Sequence, residues 1–570
     1  AANRSDSEIS TPSTNNHRPS WLVTNASIIG AFPKLFIPDT WSLITLFFVL
    51  LLLGPFVALL IVATGDSGGL WGHLIQTVFP RYLKNTFLLM VGVGILSSLL
   101  GIVSAWMVAR FRFPGVNIIE WCLLLPATIP SYIIAYTYTD LLEFAGPVQG
   151  LLRDYFGWTQ ASEYWFPEIR SLGGAIFVMS FVLYPYIYLM TKTALRLTSP
   201  SYIELARLSR PLSAVWIDLY LARPAIIAGL ALIFMEVLSD FGTVEYFTVE
   251  TITLGIFNIW LGMNNLTAAA QIAGLAFIFI IFLLALEQRA RSRQKFFDAT
   301  KSYKSLNPRK LTIFLGLLCT IFCLFPIVVG FAIPVTVLAI FVFRGLAITN
   351  FDLLVSASLN SIVIAVISAL VVVLLAFVMV STTVYKKRHY LNTFSNISAM
   401  GYAFPGAILA IGVVSFGGWI DGALEYVDQN LFYGSFDGFL IGGIGLLIFA
   451  YVLRFQAIGH GAINSGITRL SPNIMNASFV LGRGYTQSIL LLGPPLLRKS
   501  LFAAGLLVFV DVMKELPMTL LLRPFNFETL STYVYQFAKD ELLEESALAA
   551  LAIIIVGLGP VILMNSSGRK

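Results

Sequence analysis

The chain has 570 residues, of which 57% are hydrophobic and only 12% charged, against roughly 25% charged in an ordinary soluble domain, which excludes a soluble enzyme. The formal net charge of +6 is small for this length and gives no support to nucleic-acid binding. The three cysteines, Cys122, Cys319 and Cys323, all lie in apolar runs, which excludes a disulfide framework or a Cys-rich metal site.

The chain opens on a polar, Ser/Thr/Asn-rich stretch, residues 1–40, without an early apolar h-region or a small-residue cleavage site, so no cleavable signal is expected. Apolar runs follow near 43–63, 85–109, 119–139, 172–191, 222–239, 264–285, 311–343, 358–384, 395–418, 438–453, 500–522 and 546–564. About 20 apolar residues cross a hydrocarbon core of roughly 30 Å as a helix, whereas barrel strands would alternate in polarity over about 10 residues. Residues 361–380 show no such alternation. The fold class is therefore an all-α polytopic membrane protein of about twelve spans. The run 311–343 holds Pro326 and Pro334 and is expected to be one tilted or kinked span.

Charge orients these spans. Arg110 and Arg112, then Arg196, Arg207 and Arg210, then Arg289, Arg291, Arg293 and Lys295, then Lys386, Lys387 and Arg388 occupy alternate loops. The intervening loops carry acids, among them Asp140, Glu143, Asp154, Glu163 and Glu168 in one and Asp540, Glu541, Glu544 and Glu545 in another. The positive-inside rule places the basic loops and both termini in the cytoplasm.

An internal repeat divides the chain. Asn85 and Asn360, Pro130 and Pro405, Arg223 and Arg498, Glu236 and Asp511, and Asp240 and Glu515 are all separated by 275 residues. The expected organisation is a cytoplasmic segment 1–40, a first half 41–286, a basic linker 287–310, a second half 311–564 and a cytoplasmic tail 565–570. Six spans separate the copies, an even number, so the halves should run parallel about a pseudo-two-fold with one central pathway.

Two cytoplasmic loops lie before the fifth span of each half: Pro200-Ser-Tyr-Ile-Glu204-Leu-Ala206-Arg-Leu-Ser-Arg210 and Pro472-Asn-Ile-Met-Asn476-Ala477-Ser-Phe-Val-Leu481-Gly482. Either could form a short helix with apolar residues at helical spacing, for a partner's groove or for the membrane surface. This pairing resembles the EAA loops of binding-protein-dependent ABC importer permeases. The first copy keeps Glu204 and Ala206 with Arg210 where Gly is usual, and the second keeps Ala477 and Gly482 with Asn476 where Glu is usual.

Further along, Met235-Glu236-Val-Leu-Ser-Asp240-Phe241-Gly242-Thr243 and Val510-Asp511-Val-Met-Lys514-Glu515-Leu516-Pro517, running on to Phe527, resemble the fused two-half permeases of bacterial ferric-iron ABC importers, over about residues 41–564. The resemblance implies a multi-pass inner-membrane permease that receives Fe(III) from a periplasmic ferric-iron-binding protein. It also implies that the two loops couple to two copies of a cytoplasmic ABC ATPase. The chain has no G-x-x-x-x-G-K-[ST], the phosphate-cradling loop of an ATPase, so it is expected to be a transport subunit that binds no cofactor, with ATP on its partners.

Glu236 and Asp240, like Asp511 and Glu515, are four residues apart and share a helix face. If their helices begin near Arg223 and Arg498, the acids lie about 20 and 26 Å along them, toward the periplasm. Carboxylates at membrane depth face a cavity or a partner, and oxygen donors suit a hard cation, so these four acids are expected to line the substrate pathway. The structural alternative is that Lys514 pairs with Asp511 and that Asp240 and Glu515 cap or line an outer gate. Tyr132, Tyr136 and Tyr138 are expected in an interfacial belt, and Pro130 and Pro405 at kinks. The four histidines, His17, His73, His389 and His460, are scattered, and no high-affinity resting metal site is expected. Thiamine, a polyamine or another small solute remains an alternative cargo, and an ion-coupled secondary transporter an alternative class.

Overall fold

The computed structural model describes residues 39–198, 211–294, 308–386, 389–432, 438, 440–471 and 473–568. Among them ten helices are long and apolar enough to cross a membrane: Thr40–Ala63, Phe79–Arg110, Leu172–Leu197, Val215–Ser239, Leu266–Arg289, Ile313–Gly345, Phe351–Lys386, Gly406–Asn430, Ile444–Ile467 and Leu543–Ile562. The pair Val116–Thr128 and Ser131–Phe156, bent by 90°, makes an eleventh. Ten or eleven passages by this measure agree with the about twelve expected. The remaining segment belongs to the helix Tyr485–Met513, which carries Arg498, Lys499 and Asp511 and does not meet the same measure.

Arg223, Arg454 and Arg498 do not end their helices. Arg223 and Arg498 lie well inside the helices Pro211–Ser239 and Tyr485–Met513, and Arg223 stacks on Tyr220 with its guanidinium 4.0 Å from the ring centroid. Arg454 lies inside Ile444–Ile467, where Glu515, from the break after Tyr485–Met513, meets it. The run with Pro326 and Pro334 is one helical passage, Ile313–Gly345, with a wide π-type turn at Val328–Ala332 between the prolines.

Both halves break their third passage in the same way. A 3-10 turn, Leu125–Thr128 or Gly401–Ala403, leads to Pro130 or Pro405, which opens the helix Ser131–Leu142 or Gly406–Val427 in extended geometry (φ −57°, ψ 140° and φ −51°, ψ 139°). These prolines are breaks rather than kinks, because the missing N–H and fixed φ suit a helix start. The repeat also recurs in hydrogen bonds. The Asn85 side-chain amide donates to the Glu250 carbonyl at 3.1 Å, and that of Asn360 donates to the Glu528 carbonyl at 3.0 Å. Beside them Thr86 Oγ1 accepts from the Ile252 N–H and Ser361 Oγ from the Leu530 N–H.

Close packing of helix on helix relies on small residues, as it does where lipid offers no hydrophobic drive. A Cβ at Gly101 would stand 2.9 Å from the Tyr184 carbonyl oxygen and 3.0 Å from the Tyr188 nitrogen. Each half's leading helix leans on the opposite half. Thr40–Ala63 packs against Gly406–Val427, with the Phe56 and Phe404 rings 5.1 Å apart. Ile313–Gly345 packs against the first half, where Thr320 donates to the Pro114 carbonyl at 3.0 Å and Tyr138 to the Val329 carbonyl at 2.7 Å. A two-residue parallel ladder, Phe111–Arg112 with Arg309–Lys310, ties the far end of the linker to a loop of the first half.

Candidate functional site

The helices Pro211–Ser239 and Tyr485–Met513 end side by side at the junction of the halves, and each is followed by a short helix, Gly242–Tyr246 or Pro517–Leu522. A Cβ at Gly242 would meet Tyr132 and Leu516 at 2.8 and 2.9 Å, so the two breaks touch across the junction. A cavity of about 130 Å³ lies there, and Glu236, Asp240, Asp511 and Glu515 all line it. The helices begin at Pro211 and Tyr485, which puts Glu236 and Asp511 about 38 Å along them rather than the expected 20 Å.

The four acids are not equivalent. Asp240 stands one residue past the end of its helix and caps the next: its carboxylate accepts from the Thr243 N–H at 3.0 Å, the Thr243 hydroxyl at 2.9 Å and the Val244 N–H at 3.3 Å, as well as from the Ser131 hydroxyl. Glu515 does the same in the second half, accepting from the Met518 N–H at 3.1 Å, the Thr519 N–H at 3.0 Å and the Thr519 hydroxyl at 2.8 Å. A carboxylate at a helix N-terminus satisfies orphan donors and the positive end of the dipole. Asp511 is held by Lys514 Nζ at 2.8 Å. Among the described residues Glu236 caps no helix and makes no ion pair; its carboxylate accepts from the Tyr402 hydroxyl of the opposite half at 2.8 Å.

Two cations share the space. Lys514 lines the cavity, and so does Arg454, which comes from the middle of an apolar helix and is only 8% exposed. Its Nη1 stands 3.5 Å from Glu515 Oε1, and its Nε and Nη1 have no hydrogen-bond partner among the described residues. Gly406 leaves room for it, since a Cβ there would stand 2.5 Å from Arg454 Nη1. The cavity can therefore offer carboxylate and phenol oxygens to a cation and N–H donors to an anion.

Tyr132, Tyr136 and Tyr138 are not in a belt at the lipid interface, which corrects the expectation: all are buried, Tyr132 lines the cavity, and Tyr138 is tied to the opposite half. The break at Pro130 turns their helix inward. Arg454, Tyr186 and Tyr402 were absent from the expected site. Arg454 had a signal, a lone arginine inside an apolar run, which at membrane depth marks a polar interior; the two tyrosines had none.

Of the two loops, the first, with Glu204, Ala206 and Arg210, lies outside the described residues. The second forms the helix Asn473–Val480, with Met475 and Ser478 buried and Asn476 and Ala477 exposed. Ser478 and Ser488 share a hydroxyl hydrogen bond of 2.8 Å that holds it to the following helix. It stops at Gly482, whose φ of +81° lies in the left-handed region, where glycine carries no Cβ penalty. At its end Val480 is 86% and Leu481 78% exposed.

No family model matches the chain. The chain is 27% identical over 551 residues to the Fe(3+)-transport system permease protein FbpB 2 of Haemophilus influenzae, covering 94% of this chain and 99% of that protein. It is 22% identical over 494 residues to the ferric transport system permease protein FbpB of Actinobacillus pleuropneumoniae, 82% and 68% of the two chains. It is also 27% identical over 205 residues to the sulfate transport system permease protein CysT of Salmonella typhimurium, 35% of this chain and 71% of that one. The likeness implied by the motifs around Glu236 and Asp511 thus extends over almost the whole chain.

Proposed function

We propose that this chain is the permease subunit of a ferric-iron ABC importer, and that the cavity between its halves lies on the ion's route. The observation that carries the reading is the end-to-end likeness to a chain named as an Fe(3+) permease, spanning both halves and the linker. A cavity lined by Glu236, Asp511 and tyrosine hydroxyls supports it, because Fe(III) is a hard cation and prefers oxygen donors. In this reading the membrane is the bacterial inner membrane and both termini are cytoplasmic. Iron arrives from a periplasmic ferric-iron-binding protein, and two copies of a separate ATPase drive alternating access.

The ATPases dock on the loops around Glu204–Arg210 and Asn476–Gly482. Exposed Val480 and Leu481 supply an apolar edge of the kind that fills a partner's groove. Asp240 and Glu515, as helix caps, hold the two breaks in shape, while Glu236 and Asp511 face the ion. An oxyanion cargo is the second reading, favoured by the buried arginine and by the partial likeness to sulfate permeases.

The test is ATP-dependent uptake of ⁵⁵Fe into proteoliposomes holding this chain, its ATPase and its binding protein. Wild type is compared with the double variant Glu236→Gln/Asp511→Asn. Loss of uptake by the variant, with assembly and stimulated ATPase intact, supports the ion route. Uptake equal to wild type makes these carboxylates structural, and no iron uptake by wild type despite stimulated ATPase removes ferric iron as the cargo.

A further inference from the structure

The cavity's charges are of both signs, and of its two cations one is paired by contact and the other is not. Lys514 is committed to Asp511 at 2.8 Å. Arg454 is not similarly committed: it approaches Glu515 at 3.5 Å without a directed hydrogen bond, while the Glu515 oxygens are already taken by Met518 and Thr519. A guanidinium presents five N–H donors in a rigid fork, and leaving them unfilled in a buried place is costly. Here Nε and Nη1, both buried, are unfilled and belong to a residue that lines the cavity.

Resting on the ferric-iron reading, we propose that the cavity takes iron together with a small oxyanion, with Arg454 as the anion's anchor. Lys514 being paired with Asp511, the guanidinium of Arg454 is the positive group that a bare trivalent cation in the cavity would meet with its N–H donors unfilled. An oxyanion between the metal and the guanidinium turns that repulsion into two attractions. Planar, bidentate recognition of oxyanions is what arginine does well. The carboxylate of Glu236 and the hydroxyl of Tyr402 remain on the metal's side. The size fits, since about 130 Å³ leaves room for a metal ion and a small anion side by side.

The experiment is double-label uptake in the complete reconstituted importer, ⁵⁵Fe together with ³³P-phosphate, ³⁵S-sulfate or ¹⁴C-bicarbonate in separate runs, with ATP-free vesicles as background. One of the three anions is expected to accumulate with iron at about one per metal, and only when iron is present. Arg454→Gln should lower both labels together at least tenfold, and Arg454→Lys should recover part of the loss. The double variant Arg454→Gln/Glu515→Gln removes the pair as a unit and should assemble, stimulate ATPase and still fail to carry the anion. Iron uptake with none of the three anions above background overturns the proposal, as does iron uptake by Arg454→Gln equal to wild type. Anion uptake without any iron uptake by wild type instead overturns the ferric-iron reading and leaves Arg454 as the anchor of an oxyanion permease.

Discussion

Tyr402 of the second half donates its hydroxyl to Glu236 of the first at 2.8 Å, and this bond crosses the cavity junction to the cavity acid that, among the described residues, caps no helix and makes no ion pair. Removing the donor removes a tie between the halves without disturbing either helix break. Tyr402→Phe should keep the fold with a lowered melting temperature and lower iron uptake about tenfold or more, a hydrogen bond to a charged group being worth roughly 1.5–3 kcal/mol. Uptake and melting temperature of the purified chain, measured together, check this.

Asp240→Ala and Asp240→Asn should part company. Asparagine still accepts from Thr243 and Val244, whereas alanine leaves those donors orphaned. Losing a cap costs about 0.5–2 kcal/mol, so the alanine variant should be the less heat-stable and the asparagine variant close to wild type. Thermal unfolding in detergent reads the order.

Arg110 and Asp218 form a buried two-point ion pair, Nε to Oδ2 at 2.9 Å and Nη2 to Oδ1 at 2.6 Å, with the Trp106 indole N–H also on Asp218. The pair joins Phe79–Arg110 to Pro211–Ser239. Arg110→Ala strands a buried carboxylate and should destabilise the chain by about 3–5 kcal/mol, while Arg110→Met/Asp218→Leu should cost much less. Expression and melting of both variants give the comparison. The second half has Tyr385 and Gly493 at the same spacing and no such pair.

Gly412→Ala places a methyl group against the Pro55 carbonyl oxygen, where the first helix crosses the second half. Overpacking of this kind typically costs about 1–3 kcal/mol. A lowered melting temperature, partly restored by no substitution at the cavity, is the expected result.

Gly482→Val should strain the end of the second coupling helix, because a β-branched residue at φ +81° costs of order 1–3 kcal/mol. The expected outcome is weaker ATPase association and lower stimulated turnover with the cavity untouched. Co-purification of the ATPase and its stimulated rate are the readouts.

The apolar runs gave the passages and the 275-residue spacing gave the repeat, because both are properties of the chain taken alone. The errors came where a charged or polar side chain finds its partner on another helix. Arg454 read as the end of a span because nothing near it in sequence balances it; Glu515, 61 residues on, does. Tyr132, Tyr136 and Tyr138 read as a belt because an outer-end tyrosine is usually wet, and the turn at Pro130 that buries them depends on packing. The four acids were legible as a group by their spacing, but their division into caps and cavity groups depends on where the helices stop.

The crossed placement of the leading helices also bears on how many chains make one pathway. Thr40–Ala63 rests largely on the second half and Ile313–Gly345 partly on the first, so the two halves are interlocked. Two separately made halves could assort as like with like, giving pathways with two copies of Glu236 or two of Asp511. Fusion through a linker pinned beside Phe111–Arg112 holds the stoichiometry at one of each, so the cavity is always built with its single arginine.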